Sequence, residues 1–329
     1  MRLNNNLDYI LNLIHADKLL VDEYINSSKQ ANYFKVSDIK KRNGRRTIHE
    51  PKGDALQSIY KNLYEELKPY RAMVHDAAHG FIKDRSNATN AAMHLQAMIV
   101  FNVDVENFFG NIAVEQVKST FLRLGMSELV ADTLAKLCTV DGVLPQGVNT
   151  SPDISNHCVY DMDVALTEYA LKEGLVYTRY ADDMTFSSNA RVIKAIEIES
   201  IIEGFGFKVV EEKKKTQKRG SNQYVTGLTI FDGVMPRVSK KYKHRLRLEL
   251  HLIDKFGIDD FIIKANSLAE APKAEDELEI WRATLNKLGD KKLEQIEGRI
   301  NYINGIEPLR ANEFRSLLEK IYEKRKEER

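Results

Sequence analysis

Cysteine, tryptophan and proline are scarce in this sequence, and long apolar runs are missing from it. Its 329 residues include two cysteines, one tryptophan and seven prolines. The cysteines, Cys138 and Cys158, lack the spacing of zinc ligands, so we expect buried free thiols rather than a disulfide or a zinc site. No run of about eighteen apolar residues is present, and residues 1–6 lack the apolar core of a signal peptide. We therefore predict a cytoplasmic protein with no membrane partner.

An excess of charge of either sign is also missing, because 49 Lys and Arg stand against 48 Asp and Glu, for a formal net charge of +1. With 43% hydrophobic and 29% charged residues, the composition is that of a folded globular chain and excludes disorder throughout. The basic residues are nevertheless clustered, at residues 40–42, 45–46, 213–215, 218–219 and 240–247. Such basic stripes on a neutral chain favour a nucleic-acid channel, although any single stripe is also typical of a solvated face.

The stretch Tyr180-Ala181-Asp182-Asp183 lies between two runs rich in β-forming residues, at 174–179 and 184–188. This pattern predicts a hairpin with two acidic side chains at its tip. Two ionised aspartates side by side repel each other, and a divalent metal bound by oxygen ligands neutralises them. A solvated Asp-Asp turn is the alternative, because aspartate favours turns for its own hydrogen-bonding reasons.

A third carboxylate lies in the run 99–105, which alternates like a strand that enters a core and holds Asp104 near its end. An acid on an otherwise apolar strand is costly to bury unless it is paired or bound to a metal. Asp104 is therefore a stronger candidate for function than an average aspartate.

Two further stretches have the chemistry to approach a ligand. Residues 33–51 predict a β-hairpin with Asn43-Gly44 as its turn, and its basic side chains could bind phosphate or simply keep the hairpin soluble. Residues 144–153 form a Gln-Gly loop that leads into a helix with Ser151 as its N-cap, which we expect to continue towards Leu171. The basic side chains of the hairpin are Lys40, Lys41, Arg42, Arg45 and Arg46.

The remaining pattern predicts helices over 1–32, 55–67, 114–140 (in two parts) and 193–204, and strands over 205–210 and 224–230. Beyond Pro236 the sequence predicts only helices, the first capped by Ser239 and followed by helices over 258–268, 276–288, 291–303 and 311–327. Residues 271–274 are expected to be a connector. Strands and helices are thus mixed in the middle of the chain and helices end it, which predicts an α+β fold with a sheet backed by helices.

Four of these stretches, taken in order, resemble the catalytic motifs of reverse transcriptases. They are the strand with Asp104, Leu144-Pro145-Gln146-Gly147 with Ser151-Pro152, Tyr180-Ala181-Asp182-Asp183, and Gly204-Phe205-Gly206-Phe207 with Lys215-Thr216. Two shorter stretches, Asn90-Ala91-Ala92-Met93-His94 and Val225-Thr226-Gly227, resemble the signatures of bacterial retron reverse transcriptases. We interpret Asn90 and His94 as structural rather than catalytic residues.

The resemblance implies a right-hand polymerase architecture. The N-terminal helix and fingers would span 1–100, a palm with an antiparallel sheet 101–236, with 113–148 partly in the fingers, and a helical thumb 237–329. The thumb would bind RNA through the basic residues of its first helix. These are Lys240, Lys241, Lys243, Arg245 and Arg247.

The resemblance also implies a two-metal nucleotidyl transfer. Asp104 and Asp182 would bind two Mg²⁺ ions, or Mn²⁺, with the Val105 carbonyl and Asp183 beside them. Lys215 would protonate the leaving pyrophosphate. The nucleotide-binding residues would be Phe109, which excludes a ribose 2′-OH, Gln146 and Gly147, and Lys41 and Arg46 on the phosphates.

For a retron enzyme, the resemblance implies a cognate noncoding RNA that is both template and primer. Its internal 2′-OH would start a branched, RNA-linked single-stranded DNA (msDNA) made from deoxynucleoside triphosphates. It further implies anti-phage defence together with a separately encoded effector protein. Two alternatives stay open at this point: another bacterial defence or group II intron-like reverse transcriptase, and a nucleic-acid-binding scaffold for a toxic effector.

Overall fold

The structure, a computed structural model, describes residues 6–28, 30–41, 44–189, 192–266 and 275–327. The chain divides into two compact units, Met1–Thr226 (unit 1) and Gly227–Arg329 (unit 2). Within the described ranges, no helix combines the length and the apolar character needed to cross a membrane.

Unit 1 begins with two short helices, α1 (Leu7–Leu13) and α2 (Lys18–Ile25). Asn6 and Asp17 cap them by accepting hydrogen bonds from backbone N–H groups of the first turns. The apolar side chains of both helices join the core of unit 1, together with those of α3 (Asp54–Leu67). The prediction of helices within 1–32 and 55–67 is thus confirmed.

The predicted hairpin is present as β1 (Phe34–Lys41) and β2 (Gly44–Pro51), which pair antiparallel from Phe34 opposite Pro51 to Lys41 opposite Gly44. The predicted turn at Asn43-Gly44 falls partly outside the described residues. Arg42, Asn43 and the side chain of Lys41 belong to the part of the chain that the structure does not describe.

The central element of unit 1 is a four-stranded antiparallel sheet with the order β4, β5, β3, β6. Its strands are β3 (Ile99–Asp104), β4 (Val176–Tyr180), β5 (Asp183–Ser188) and β6 (Lys215–Lys218). Alternate side chains give the sheet two unlike faces. Phe101, Val103, Met184 and Phe186 are buried on the apolar face, whereas Asn102, Asp104 and Thr185 lie on the polar face, where the Asn102 amide donates to Thr185.

Helices complete unit 1, and most of them contribute buried apolar residues to one core. They are α4 (Asn87–Ala92), α5 (Val114–Arg123), α6 (Glu128–Cys138), α7 (Ser151–Cys158), α8 (Tyr160–Glu173) and α9 (Ala195–Gly204). The single helix that we predicted from Ser151 towards Leu171 is wrong, because Val159 leaves helical geometry and separates α7 from α8. The N-cap of α7 is Thr150, and Ser151 is already its first helical residue.

Two strand predictions need correction. Residues 205–210 form no strand, and within them Val209 makes an isolated bridge to Val105. The predicted strand over 224–230 is divided into β7 (Tyr224–Val225) and β8 (Leu228–Thr229). Positive φ angles at Thr226 (45°) and Gly227 (81°) turn the backbone out of the extended conformation between them.

Unit 2 pairs β8 with β9 (Arg237–Val238) and continues as helices. These are α10 (Lys240–Phe256), α11 (Ile258–Asn266), α12 (Glu275–Asn304) and α13 (Pro308–Glu327). Leu246, Leu250 and Ile253 of α10 are buried and form the apolar side of this helix. The predicted connector 271–274 lies outside the described residues.

The separate helices predicted over 276–288 and 291–303 are wrong, because α12 runs through both without a break. Gly289 is a site of close packing rather than a helix end. A Cβ there would come within 3.1 Å of Arg325 Nη2 and 3.2 Å of Ile258 Cγ1. The mixture of antiparallel sheet, backing helices and a helical C-terminal unit confirms the predicted α+β fold class.

Candidate active site

The predicted acidic hairpin forms as β4 and β5, joined by the two residues Ala181 and Asp182. Ala181 adopts a left-handed backbone conformation with φ of 57°, which a two-residue hairpin turn commonly requires. Asp183 begins β5 and lies directly opposite Asp104, the last residue of β3. Asp104, Asp182 and Asp183, called the carboxylate cluster below, are thus brought together at one end of neighbouring strands.

Crowding of negative charge is visible in the protonation of Asp183. Burial raises its pKa to about 7, and the neighbouring carboxylates of Asp104 and Asp182 add to the increase. Lys213 acts in the opposite direction. Near neutral pH, the protein therefore holds Asp183 close to the point where its charge is lost.

Lys213 is the lysine that the fold places at the carboxylate cluster. Its Nζ donates to Asp104 Oδ1 at 2.6 Å. Lys214 instead pairs with Glu199 and Glu211, and Lys215 Nζ lies 5.6 Å from the centre of the Tyr224 ring. Sequence reasoning assigned Lys215 to the leaving group, and the structure brings its neighbour Lys213 closest to the acids.

The carboxylate cluster has the chemistry that hard divalent cations prefer, which is several carboxylate oxygens beside a backbone carbonyl. Val105, whose carbonyl was predicted as a ligand, follows Asp104 and donates its N–H to the Asp182 carbonyl at 3.4 Å. Among the described residues, no group of three or more His, Cys, Asp or Glu side chains already has the geometry to hold a metal ion. The raised pKa of Asp183 and the ammonium group on Asp104 both indicate that added positive charge would be stabilising here.

A buried hydrogen-bond network lies on the other face of β4, and sequence reasoning did not find it. Arg179 is completely buried, and its Nε and Nη2 donate to the two carboxylate oxygens of Asp163 at 2.8 and 2.6 Å. Its Nη1 donates to the Ala181 carbonyl and to Asn156 Oδ1, each at 3.1 Å. The Tyr177 hydroxyl also donates to Asp163, at 2.7 Å. An arginine within a run of β-forming residues was the available signal, and its partner could not be read from local sequence.

The segment before α4 packs directly on the acidic turn. A Cβ on Gly80 would lie 2.6 Å from the backbone nitrogen of Ala181, so a side chain cannot be accommodated there. The Asn156 amide donates to the Gly80 carbonyl at 2.9 Å. Phe81, with a left-handed φ of 64°, places its ring 6.3 Å from that of Phe109, the predicted sugar-selecting residue.

The predicted nucleotide-binding loop meets the hairpin. The His49 N–H donates to the Gln146 carbonyl at 2.7 Å. Gly147 has a positive φ of 107°, and a Cβ there would lie 2.6 Å from Ile48 Cγ2. On the same strand, Arg46 Nε is shielded from solvent and has no hydrogen-bond partner among the described residues, which suits an anionic ligand.

The two retron-like signatures contact each other. The Asn90 amide lies 3.5 Å from Thr226 Oγ1, and the Thr226 hydroxyl donates to the Asn87 carbonyl at 3.2 Å. His94 is buried, and both ring nitrogens share hydrogen bonds of 2.7 Å with the hydroxyls of Thr178 and Ser187. Burial lowers the pKa of His94 to about 3. These contacts agree with a structural role for Asn90 and His94, while Val225 is buried and Gly227 supplies a positive φ.

The basic residues at the start of α10 differ in their availability. Lys243 pairs with Glu307 at 2.8 Å, and Arg245 and Arg247 pair with Glu249 and Glu313 at 3.3 and 3.9 Å. Lys240 and Lys241 are exposed. Arg245 and Arg247 are exposed as well, so only Lys243 among the predicted RNA contacts is largely shielded from solvent.

The chain was compared with known families and proteins. The model of the reverse transcriptase (RNA-dependent DNA polymerase) family matches residues 39–230. The retron Ec86 reverse transcriptase of Escherichia coli is 33% identical over 214 residues, which cover 63% of this chain and 65% of that protein. The retron Mx162 reverse transcriptase of Myxococcus xanthus is 31% identical over 260 residues, which cover 67% of this chain and 53% of that protein.

The matched region thus spans less than two-thirds of the length of each of these two relatives. An apo telomerase structure from Candida tropicalis aligns with a TM-score of 0.48 at 12% identity, over 90% of this chain and 63% of that one. The similarity to bacterial retron reverse transcriptases that the sequence predicted is confirmed.

Proposed function

This chain belongs to the reverse transcriptase family, and we propose that it is a retron-type RNA-directed DNA polymerase. It uses a cognate noncoding RNA as template and starts synthesis from an internal 2′-OH of that RNA. The product is msDNA, a single-stranded DNA that stays linked to the RNA through a branch. The family match and the similarity to retron enzymes support this proposal.

The observation that carries the proposal is the meeting of Asp104 and Asp183 at the ends of paired strands, with Asp182 in the adjoining turn. Phosphoryl transfer by a polymerase requires negative groups that hold cations beside a triphosphate. The raised pKa of Asp183 is the mark of such a crowded group of carboxylates.

Each residue of the site has a role in this mechanism. Asp104, Asp182 and the Val105 carbonyl hold two Mg²⁺ or Mn²⁺ ions, which when bound lower the pKa of the primer hydroxyl and neutralise the triphosphate. Asp183 shapes the charge beside them. Lys213 neutralises or protonates the leaving pyrophosphate in place of Lys215, a role that its contact with Asp104 supports.

The nucleotide is held by residues from several segments. Arg46 and Lys41 bind its phosphates, Gln146 and Gly147 contact its base or the template, and Phe109 rejects a ribose 2′-OH so that deoxynucleotides are used. We assign residues 1–100 to the fingers, 101–236 to the palm, with 113–148 partly in the fingers, and 237–329 to the thumb. Lys240 and Lys241, with Lys243, Arg245 and Arg247, contact the RNA backbone.

The proposed biological setting is anti-phage defence in the cytoplasm, in which the RNA–DNA hybrid acts together with a separately encoded effector protein. This part of the proposal depends on the retron assignment alone. It is tested by the nucleic acid and protein that accompany the purified chain.

The experiment is to purify the protein from cells that carry its native locus and sequence the nucleic acid bound to it. We expect RNA-linked single-stranded DNA whose branch is opened by a debranching enzyme. With Asp182→Ala and Asp183→Ala together, we expect the RNA to remain bound and the DNA to disappear, because metal binding is lost and the RNA contacts are not.

A control is available on α11, where Asp259 and Asp260 form another adjacent aspartate pair, which in this case is exposed. The Asp259→Ala, Asp260→Ala variant should still carry its DNA. Equal DNA in the wild type and the Asp182, Asp183 variant would overturn the catalytic assignment. Random cellular RNA without linked DNA would favour a nucleic-acid-binding scaffold or a general polymerase.

A further inference from the structure

The turn formed by Ala181 and Asp182, called the acidic turn here, lies beside carboxylates that repel each other, and strand pairing alone does not offset this repulsion. Asp182 lies in a two-residue connection, and Asp183 and Asp104 face each other across the neighbouring strands. Like charges at this spacing tend to move apart, so a mobile turn would lose the geometry that two metal ions and a triphosphate require.

The Arg179 network joins this turn to the helices behind the sheet. The guanidinium binds the Ala181 carbonyl on one side and Asp163 of α8 on the other. Through Asn156 of α7, the same guanidinium is linked to the Gly80 carbonyl. Gly80 packs against Ala181 so closely that a Cβ would lie 2.6 Å away. The turn is therefore held both by a hydrogen bond to its carbonyl and by backbone packed against it.

Stability alone does not explain a buried ion pair of this kind. Arg179 and Asp163 are both completely buried, and the desolvation of two charges can exceed the energy of their attraction. Apolar residues of similar size at such positions often give equal or greater stability. What apolar residues cannot supply is a rigid donor that points at the Ala181 carbonyl.

We infer that Arg179 is a positioning residue for the reaction, which fixes the acidic turn through the Ala181 carbonyl while Asp163, Tyr177 and Asn156 fix Arg179. Arg179 acts through the backbone, because its side chain and the carboxylates lie on opposite faces of the sheet. This inference rests on the proposed function, and it extends that function to residues outside the family's catalytic motifs identified above.

The first test variant is Arg179→Lys, which keeps the charge and loses the planar fork. The second replaces the whole ion pair with apolar residues, as Arg179→Met, Asp163→Leu and Tyr177→Phe together, so that folding does not depend on an unpaired buried charge. The matched control is Arg71→Lys. Arg71 makes the same two-pronged pair with Asp153 of α7, at 2.8 and 2.7 Å, without a bond to the turn.

Three measurements are made on the full chain of each variant, after circular dichroism and thermal melting establish that it is folded. Hydrogen exchange follows the amides of residues 180–184, electron paramagnetic resonance measures the Kd of Mn²⁺, and steady-state kinetics gives kcat and KM. In the triple variant we expect exchange to be at least about tenfold faster. Mn²⁺ should bind about tenfold more weakly, and kcat should fall about 100-fold with KM within about twofold.

Arg71→Lys should match the wild type in all three measurements. The inference is overturned if the folded triple variant keeps wild-type exchange, Mn²⁺ affinity and kcat. Absence of DNA synthesis in the wild type would contradict the proposed function instead, and hydrogen exchange and Mn²⁺ affinity would still decide whether Arg179 positions the turn.

Discussion

The carboxylate cluster of unit 1 and Glu249 of unit 2 carry their negative charge in opposite surroundings. In unit 2, burial alone would raise the pKa of Glu249, but Lys292 and Arg299 outweigh burial and hold that pKa below its usual value. Their nitrogens lie 2.9 and 2.8 Å from Glu249 Oε2. In unit 1, burial and two neighbouring acids raise the pKa of Asp183 to about 7.

This difference separates a carboxylate that stabilises the fold from carboxylates that need further positive charge. The negative charge of Glu249 is already neutralised by side chains of its own unit, so Glu249 needs no further cation. The carboxylate cluster has Lys213 at one oxygen of Asp104, and its crowding opposes full ionisation. We infer that the carboxylate cluster is suited to external cations, as the proposed function requires, whereas Glu249 is neutralised by side chains of its own unit.

The largest expected effect concerns Lys213, whose positive charge contacts the carboxylate cluster. Lys213→Ala should reduce kcat for DNA synthesis by about 1,000-fold, because a charge beside the reacting phosphates is lost. Lys215→Ala, at the position first assigned to this role, should reduce kcat by less than about tenfold, since Lys215 lies over Tyr224. Single-turnover nucleotide incorporation measures both.

Lys213→Arg, which keeps the charge, is the control and should retain more activity than Lys213→Ala. A greater loss from Lys215→Ala than from Lys213→Ala would show that the lysine beside Asp104 in this structure is not the one used in the reaction.

The second prediction is that neutralising Glu249 destabilises the protein, whereas neutralising Asp183 stabilises it. Glu249→Gln should lower the free energy of unfolding by about 3 kcal/mol, because it leaves Lys292 and Arg299 partly buried without their counter-ion. Asp183→Asn should raise it at pH 8 by on the order of 1 kcal/mol, because it removes a charge that burial and two neighbours oppose.

Urea unfolding, followed by hydrogen exchange of peptides from each unit, measures both changes. If the two substitutions changed stability in the same direction, the distinction between the carboxylates of the two units would be lost.

The third and smallest effect is a pH dependence confined to unit 1. His94 has a folded pKa of about 3, below the ordinary 6.5, because it is buried. The unfolded chain therefore binds a proton that the folded chain rejects, and stability falls as the pH drops below 6.5. The slope is at most about 1.4 kcal/mol per pH unit for each such group.

His79 and His157, with pKa values of about 4, act in the same direction. His94→Gln should reduce the acid slope of unit 1 by up to one proton, whereas His244→Gln, at an exposed position of unit 2, should leave it unchanged. Urea unfolding at pH 7.5, 6 and 5 measures the slopes, and an unchanged slope in His94→Gln would contradict a neutral buried His94.

The parts of this molecule that depend on local sequence could be predicted. The strand with Asp104 and the hairpin with Asp182 and Asp183 follow from alternation and turn chemistry, and the ordered motifs are sufficient to identify the family. Their meeting was also expected, because the motifs occur in the order that the family requires.

Contacts between distant residues could not be predicted. Arg179 of β4 contacts Asn156 of α7 and Asp163 of α8, and these contacts depend on how the strand packs against the two helices. Among three consecutive lysines, the local backbone decides which one reaches Asp104, and sequence pattern does not resolve that choice. Gly289 looked like a helix break, but close packing against Arg325 explains it.

The proposed function requires that the carboxylate cluster of unit 1 obtains positive charge from divalent cations. The most direct test is the melting temperature as MgCl₂ is added at constant ionic strength. We expect a rise in the wild type and in Asp259→Ala, Asp260→Ala, and no rise in Asp182→Ala, Asp183→Ala, because only a metal-binding native state is stabilised by its ligand. An equal rise in all three proteins would contradict it.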